Sequence, residues 1–234
     1  MSKTVCIIQA RMGSTRLPGK VLYDLAGCSM LERVVYRAYG ASDYFDDLVV
    51  ATGNNVENDV IEEICEYNHW KCIRGSEQDV LSRYKHAAST MEADTIVRVC
   101  ADDPFIDPRV IAETILAYYT NDIEYAATET LKQTFPIGMA VEVMSNTALT
   151  RAFLYSEIKD REHVTPFIWK NQDRFKCHAV VHDKNLSHIR LTVDTLDDYR
   201  RARKLYNKFG NSNFHWEDVV WEIERRPQDY DYNT

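Results

Sequence analysis

The stretch Val5–Leu22, VCIIQARMGSTRLPGKVL, decides how this 234-residue chain is read. It opens on Val5-Cys6-Ile7-Ile8, a short continuous apolar run of the kind that forms a buried strand. The run then breaks into polar and glycine residues. Gly13-Ser14-Thr15 lets backbone N–H groups approach an anion closely, and Arg11, Arg16 and Lys20 supply three fixed cations. Pro18-Gly19 adds a turn. A strand that runs into glycine and cations is how a chain builds a phosphate cradle. The stretch is neither a Walker A loop nor G-x-G-x-x-G, so an ordinary strand-to-helix turn stands as the alternative until other residues join it.

Downstream, strand-like and helix-like patterns alternate. Met30–Ala38 carries apolar residues at helical spacing, and Asp47–Thr52 reads as a strand closed by Gly53. Asn58–Asn68 reads as a helix with Val60, Ile61, Ile64 and Cys65 on one face, and Trp70–Ile73 as a third strand. A helix through Val80, Leu81, Tyr84 and Ala88 follows, then the strand Thr95–Cys100. This rhythm predicts an α/β fold with a mostly parallel sheet covered on both faces. Ligands in such sheets sit at the carboxyl ends of the strands. The unusual residues fall there: the Arg11–Lys20 loop, Thr52-Gly53, Arg74-Gly75 and Asp102-Asp103.

The second half departs from the rhythm. Pro108–Tyr119 predicts a helix and Glu124–Thr128 a strand, with a turn at Phe135–Met139 feeding a further strand to Val143. Asn146 is placed to cap a helix through Phe153, and Asp160–Trp169 reads as helical around Pro166. Residues 129–175 are expected to form a small inserted subdomain of a single domain spanning 1–234. Strands are expected at Phe175–Val181 and His188–Val193, helices at Leu196–Phe209 and His215–Arg225, and a frayed polar tail after Pro227.

Composition sets limits. A net charge of −8 argues against a broad nucleic-acid surface, so cations must be concentrated locally. No apolar run reaches the roughly 18 residues of a membrane span, and no signal-type segment opens the chain. The six cysteines show no CxxC spacing and read as reduced core thiols of a cytoplasmic protein.

Asp102 follows an apolar strand beside the cation loop, where a carboxylate can hold a hard Mg²⁺ ion against a phosphate. Asp103-Pro104 also fits a plain turn. Asp194 ends a second apolar run, although it or Thr195 could equally cap the next helix. Spacing alone does not bring Asp102 and Asp194 together.

The stretch Gln9–Leu22, with Gly27 and Met30-Leu31 after it, closely resembles the opening of the sugar-activating cytidylyltransferases. These comprise the 3-deoxy-manno-octulosonate and acylneuraminate enzymes and their spore-coat polysaccharide relatives. Arg74–Tyr84, Ala101–Pro108, Arg161–Pro166 and Val193–Asp198 resemble further motifs of the family, in order. The resemblance implies a Rossmann-like, three-layer α/β/α domain of the nucleotide-diphospho-sugar transferase kind. It implies transfer of CMP from CTP to a sugar acid or related precursor of a cell-surface polysaccharide or lipopolysaccharide, with Mg²⁺ and in a homodimer. Carried over by position, Arg11, Gly13, Ser14, Arg16 and Lys20 would contact the triphosphate, with Arg16 and Lys20 stabilising charge at the α-phosphate. Asp102 and Asp194 would hold the metal. Ala10, Arg74, Asp79, Arg83 and Ala101 would border the nucleoside. The spore-coat branch carries an arginine and an aspartate where this chain has Ile137 and Ala140, so Glu142 and His163 are left as candidate acceptor contacts. Phe153, Phe167 and Trp169 suggest a subunit interface. A glycosyltransferase of the same architecture and a non-catalytic nucleotide binder are the alternatives; adjacent Asp102-Asp103 rather than Asp-x-Asp counts against the former.

Overall fold

The computed structural model describes residues 2–210 and 213–230. The first apolar run becomes β1 (Thr4–Gln9), followed by α1 (Met30–Tyr39), β2 (Asp47–Gly53), α2 (Asp59–Tyr67), β3 (Lys71–Gly75), α3 (Val80–Thr90) and β4 (Thr95–Cys100). β1 pairs in parallel with both β2 and β4, and β2 with β3. The period-2 pattern of β1 explains its central place: Val5 and Ile7 enter one core, Cys6 and Ile8 the other. Helices α1 and α2 cover the second of these faces and α3 the first, which gives the expected three layers.

Local chemistry sets the helix ends. Ser29 and Glu32 form a capping box on α1, and Asp79 accepts the Ser82 amide at 2.8 Å at the head of α3. Asp107 caps α4 (Pro108–Thr120), whose Pro108 occupies the first turn.

Beyond α4 the chain adds β5 (Tyr125–Ala127), β6 (Glu142–Ser145), α5 (Asn146–Tyr155), α6 (Pro166–Trp169) and β7 (Cys177–Ala179). The sheet order is β3-β2-β1-β4-β6-β5-β7. Among the strands of the described residues, only β6 runs against its neighbours, β4 and β5. Residues 129–175 therefore send β6 into the interior of the sheet, while α5 and α6 pack on its α3 face through Leu149, Ala152 and Ile168. Ser145, not Asn146, caps α5: its Oγ accepts the Ala148 amide at 3.0 Å. Asn146 instead bonds the Ala93 carbonyl and Lys85.

The expected strand His188–Val193 is not a ladder strand. It is an extended segment with a single bridge, Ile137 to Arg190. Gly138, at φ 102°, presses so closely on this segment that a Cβ there would lie 2.5 Å from the Thr192 nitrogen. The segment is stitched between two loops instead: Leu191 N donates to Ile137 O at 2.7 Å and Val193 N to Asp102 O at 2.8 Å. The chain closes with α7 (Leu196–Phe209), α8 (Trp216–Arg225) and α9 (Pro227–Tyr230). The tail expected to fray forms α9 in its first part, with Tyr230 buried; residues 231–234 lie outside the described residues.

Candidate functional site

A cavity of about 380 Å³ opens at the carboxyl ends of β1 and β4. Ala10, Arg11, Ser14, Arg16, Lys20 and Asp102 line it on the loop side. Its shape is set by hydrogen bonds within the loop. Met12 O accepts both the Ser14 and the Gly19 amides at 2.9 Å, closing the turn, and Gly19 takes the left-handed φ of 70° that this needs. Buried Asn58 accepts the Met12 amide at 2.9 Å and donates to Glu77 at 2.7 Å. The Glu77 carboxylate in turn lies against Gly13 and Gly53: a Cβ on Gly13 would meet it at 3.2 Å and one on Gly53 at 1.6 Å. Neither Asn58 nor Glu77 could be picked out from the sequence, since both sit among ordinary helix-start and loop polar residues.

Lys20 starts the short 3₁₀ turn Lys20–Leu22 and is only 6% exposed. Its Nζ donates to Asp102 Oδ2 at 2.8 Å, Asp194 Oδ1 at 2.9 Å and Val193 O at 2.7 Å. The two carboxylates that sequence spacing could not join thus meet on one ammonium. Burial works against the charge on Lys20, but the two carboxylates outweigh it and leave its pKa above the ordinary value. Asp194 is free for this because Thr195, not Asp194, caps α7, in a capping box with Asp198. Arg16 and Arg190 pair with the other Asp194 oxygen at 3.0 and 2.6 Å. Burial would raise the Asp194 pKa, yet the bond from Lys20 and its cationic neighbours hold it below the usual range. Asp103 differs: it is buried, and burial together with Asp102 and Glu129 pushes its carboxyl well above that range.

The far wall belongs to the turn Ile158–His163. Glu162 and His163 line the cavity, and Glu162 accepts from Arg11 at 2.9 Å, which ties the turn to the loop. Arg11 lowers the Glu162 pKa through that bond. The next residue, Val164, is held at φ 68°, a strained backbone for a β-branched side chain. The floor includes Ala101, Arg98 and Arg83. Arg83 is buried, bonds the Ser76 carbonyl at 2.7 Å and leaves Nε without a partner. Burial, helped by the nearby charge of Arg11, pulls its pKa below the ordinary arginine value.

Three expected site residues take other positions. Arg74 is turned away from the cavity toward Asp59 and Glu62, at 2.6 and 2.9 Å, and bonds the carbonyls of Gly53 and Asn55. Asp79 caps α3 and pairs with Arg161 at 2.8 Å. Glu142 is 2% exposed and engaged on both oxygens within the protein: Tyr125 and Thr165 donate to one oxygen at 2.5 and 2.7 Å, and Arg98 to the other at 2.5 Å. The β4–β6 register, with Arg98 opposite Glu142, puts that pair together. Arg98 is the residue the sequence reading missed. Its signal is a lone charge in the middle of the apolar strand TIVRVC.

This arrangement can hold a polyphosphate over a pair of carboxylates, beside a cation-floored recess. The described residues contain no helix long and apolar enough to cross a membrane. Residues 5–217 match the family described as Cytidylyltransferase. The spore coat polysaccharide biosynthesis protein SpsF of Bacillus subtilis is 32% identical over 217 residues, covering 90% of this chain and 89% of that protein. A 3-deoxy-manno-octulosonate cytidylyltransferase of Trichlorobacter lovleyi is 37% identical over 118 residues, covering 50% of this chain and 45% of its own. Among solved structures, a cytidylyltransferase from Leptospira borgpetersenii serovar Hardjo-bovis superimposes with a TM-score of 0.94 at 30% identity, over 100% of this chain and 99% of the other.

Proposed function

The chain belongs to the cytidylyltransferase family and is a nucleotidyltransferase, and from that premise we propose that it transfers CMP from CTP to an anionic sugar. An acceptor oxygen attacks the α-phosphorus, the bond to the β-phosphate oxygen breaks, pyrophosphate leaves, and the acceptor proton passes to solvent. The observation that carries this reading is the meeting of Asp102 and Asp194 on Lys20 beneath the arginine loop. Charge builds on the α-phosphate oxygens and on the departing pyrophosphate, so preorganised cations are the main catalytic resource.

Arg11, Ser14 and Arg16 are placed on the loop to bind and orient the triphosphate. Asp102 and Asp194 offer carboxylate oxygens, which suit a hard divalent ion such as Mg²⁺. When bound, that ion would neutralise phosphate charge and polarise the phosphoryl oxygen. Ala10 and Ala101 leave room at the strand ends for the nucleoside, whereas Arg74 and Asp79 act at one remove, by fixing the β2–α2 loop and the head of α3.

The acceptor side is read from charge. Ile137 and Ala140 remove a cation and an acid that the spore-coat branch carries, and half-buried Arg98 and buried Arg83 supply cations on the cavity floor. Arg98 would meet an acceptor carboxylate, with Glu142 as its positioning residue and His163 on the opposite wall. The role of the spore-coat relative supports a cell-surface polysaccharide precursor as product, made in the cytoplasm where CTP is available.

The test is calorimetric and chemical. CTP should bind the purified protein in the presence of Mg²⁺, and a panel of sugar acids should include one that triggers pyrophosphate release. Absence of heat on CTP addition, with no pyrophosphate from any acid, would refute the reading.

A further inference from the structure

An ammonium group has three N–H donors, and Lys20 has committed all three: to Asp102, to Asp194 and to the Val193 carbonyl. None is left for a phosphate. The group is also nearly sealed from water, so no solvent donor exchange relieves it. Yet the reading above asks Lys20 to touch the triphosphate, and asks both its carboxylate partners to hold a divalent ion. All three demands cannot be met in the arrangement just described.

Charge sharpens the conflict. Asp194 already carries Lys20 on one oxygen, and Arg16 and Arg190 on the other. A divalent cation entering here would face three positive neighbours within a few ångströms, in a partly buried site where repulsion is weakly screened. A triphosphate reverses the balance. It brings several negative charges to the loop and gives Lys20 and Arg16 new partners, which frees Asp102 and Asp194 together. Lys20 can make this short shift because it sits at the first position of a single 3₁₀ turn, directly after left-handed Gly19.

We propose that Lys20 is a place-holding cation: it bridges Asp102 and Asp194 until a nucleotide draws it onto phosphate, so that the carboxylates accept a divalent ion tightly only together with the triphosphate. The proposal rests on the nucleotidyl-transfer reading for the identity of the nucleotide, but the competition between Lys20 and the metal is independent of it. Because linkage is reciprocal, the metal tightens nucleotide binding by the same factor that nucleotide tightens metal binding.

The test uses the full-length protein and Mn²⁺, whose free ion is counted by electron paramagnetic resonance without any turnover. Wild type should bind Mn²⁺ weakly alone and roughly tenfold or more tightly with a non-hydrolysable α,β-methylene analogue of CTP. Lys20→Met should bind Mn²⁺ without nucleotide at least about tenfold more tightly than wild type, since it removes both a competitor and a repelling charge. Adding Asp102→Asn to it should abolish that gain. Arg16→Met removes a nearby charge but leaves the bridge, and should gain no more than about threefold. Equal gains in Arg16→Met and Lys20→Met would overturn place-holding in favour of general repulsion. So would a Lys20→Met protein that binds Mn²⁺ no better than wild type. If Lys20→Met fails to fold, wild type still decides: equal Mn²⁺ affinity with and without the analogue contradicts the proposal. Failure of the analogue to bind at all would count against the CTP reading, while the nucleotide-free comparison of Lys20→Met with wild type would still stand.

Discussion

Lys20 and Asp102 are in contact at 2.8 Å, and turnover is proposed to depend on both. Lys20→Ala leaves two carboxylates facing each other without a cation between them, and Asp102→Ala removes one of the paired acids. Either change should lower kcat by two or more orders of magnitude, the usual scale for removing a preorganised charge at a developing oxyanion. Steady-state pyrophosphate release, with circular dichroism to verify folding, checks this. Asp107 works for stability instead. It is fully buried, accepts from the Arg109 and Trp216 amides at 2.9 Å, and lies 3.6 Å from Arg37. Burial would raise its pKa, but those amides and Arg37 outweigh it and hold it below the ordinary value. A carboxylate with a depressed folded pKa stabilises the protein above its unfolded pKa and loses that contribution as pH falls through the folded one. Asp107→Asn should therefore cost about 3 kcal/mol at pH 7 by urea denaturation, and the gap to wild type should narrow below about pH 4.

Pairs of strands and helix ends show what the amino-acid pattern could and could not reveal. The strands β1 to β4 were legible because in each a short stretch carrying apolar residues gives way to polar or glycine residues, and the polar ends of β1 and β4 mark the cavity. The segment 188–193 was misread for a physical reason: its apolar alternation reports burial, and it is buried, but against Gly138 and the Asp102 loop rather than in a ladder. Arg98 and Glu142 were separated by an unknown register, so a mid-strand arginine and a downstream acid could not be recognised as partners. Their pairing predicts that Glu142→Gln raises the acceptor KM more than the CTP KM, by about tenfold, as Arg98 loses its charged anchor. Equal effects on both constants would assign the pair to the nucleotide instead. Restoring an acid with Glu142→Asp should recover only part of the acceptor KM, because the shorter side chain cannot reach Arg98, Tyr125 and Thr165 together.

At the scale of the whole molecule, an exposed apolar cluster flanks the cavity wall. Leu154, Tyr155 and Ile158 are 61%, 61% and 88% exposed, contiguous in sequence with the wall that carries Glu162 and His163. Clusters of this kind commonly mark subunit contacts. The stretch 129–175 is thus proposed to join acceptor binding to dimerisation through its helical part, while its strand β6 belongs to the sheet. On α8, by contrast, Trp216 is core and Trp221 is exposed. Light scattering should give a dimer for wild type and a monomer for Ile158→Glu with Leu154→Glu; a monomeric wild type would remove the interface from the account.

The central claim, that this cavity directs an acceptor oxygen onto the α-phosphorus of CTP, is tested most directly by ³¹P NMR of a reaction containing the protein, CTP, Mg²⁺ and a panel of sugar acids. The predicted result is loss of the triphosphate signals in step with one pyrophosphate resonance and one new phosphodiester resonance, both absent with Asp102→Asn. Release of inorganic phosphate from the γ-position, or consumption of CTP without a phosphodiester, would contradict it.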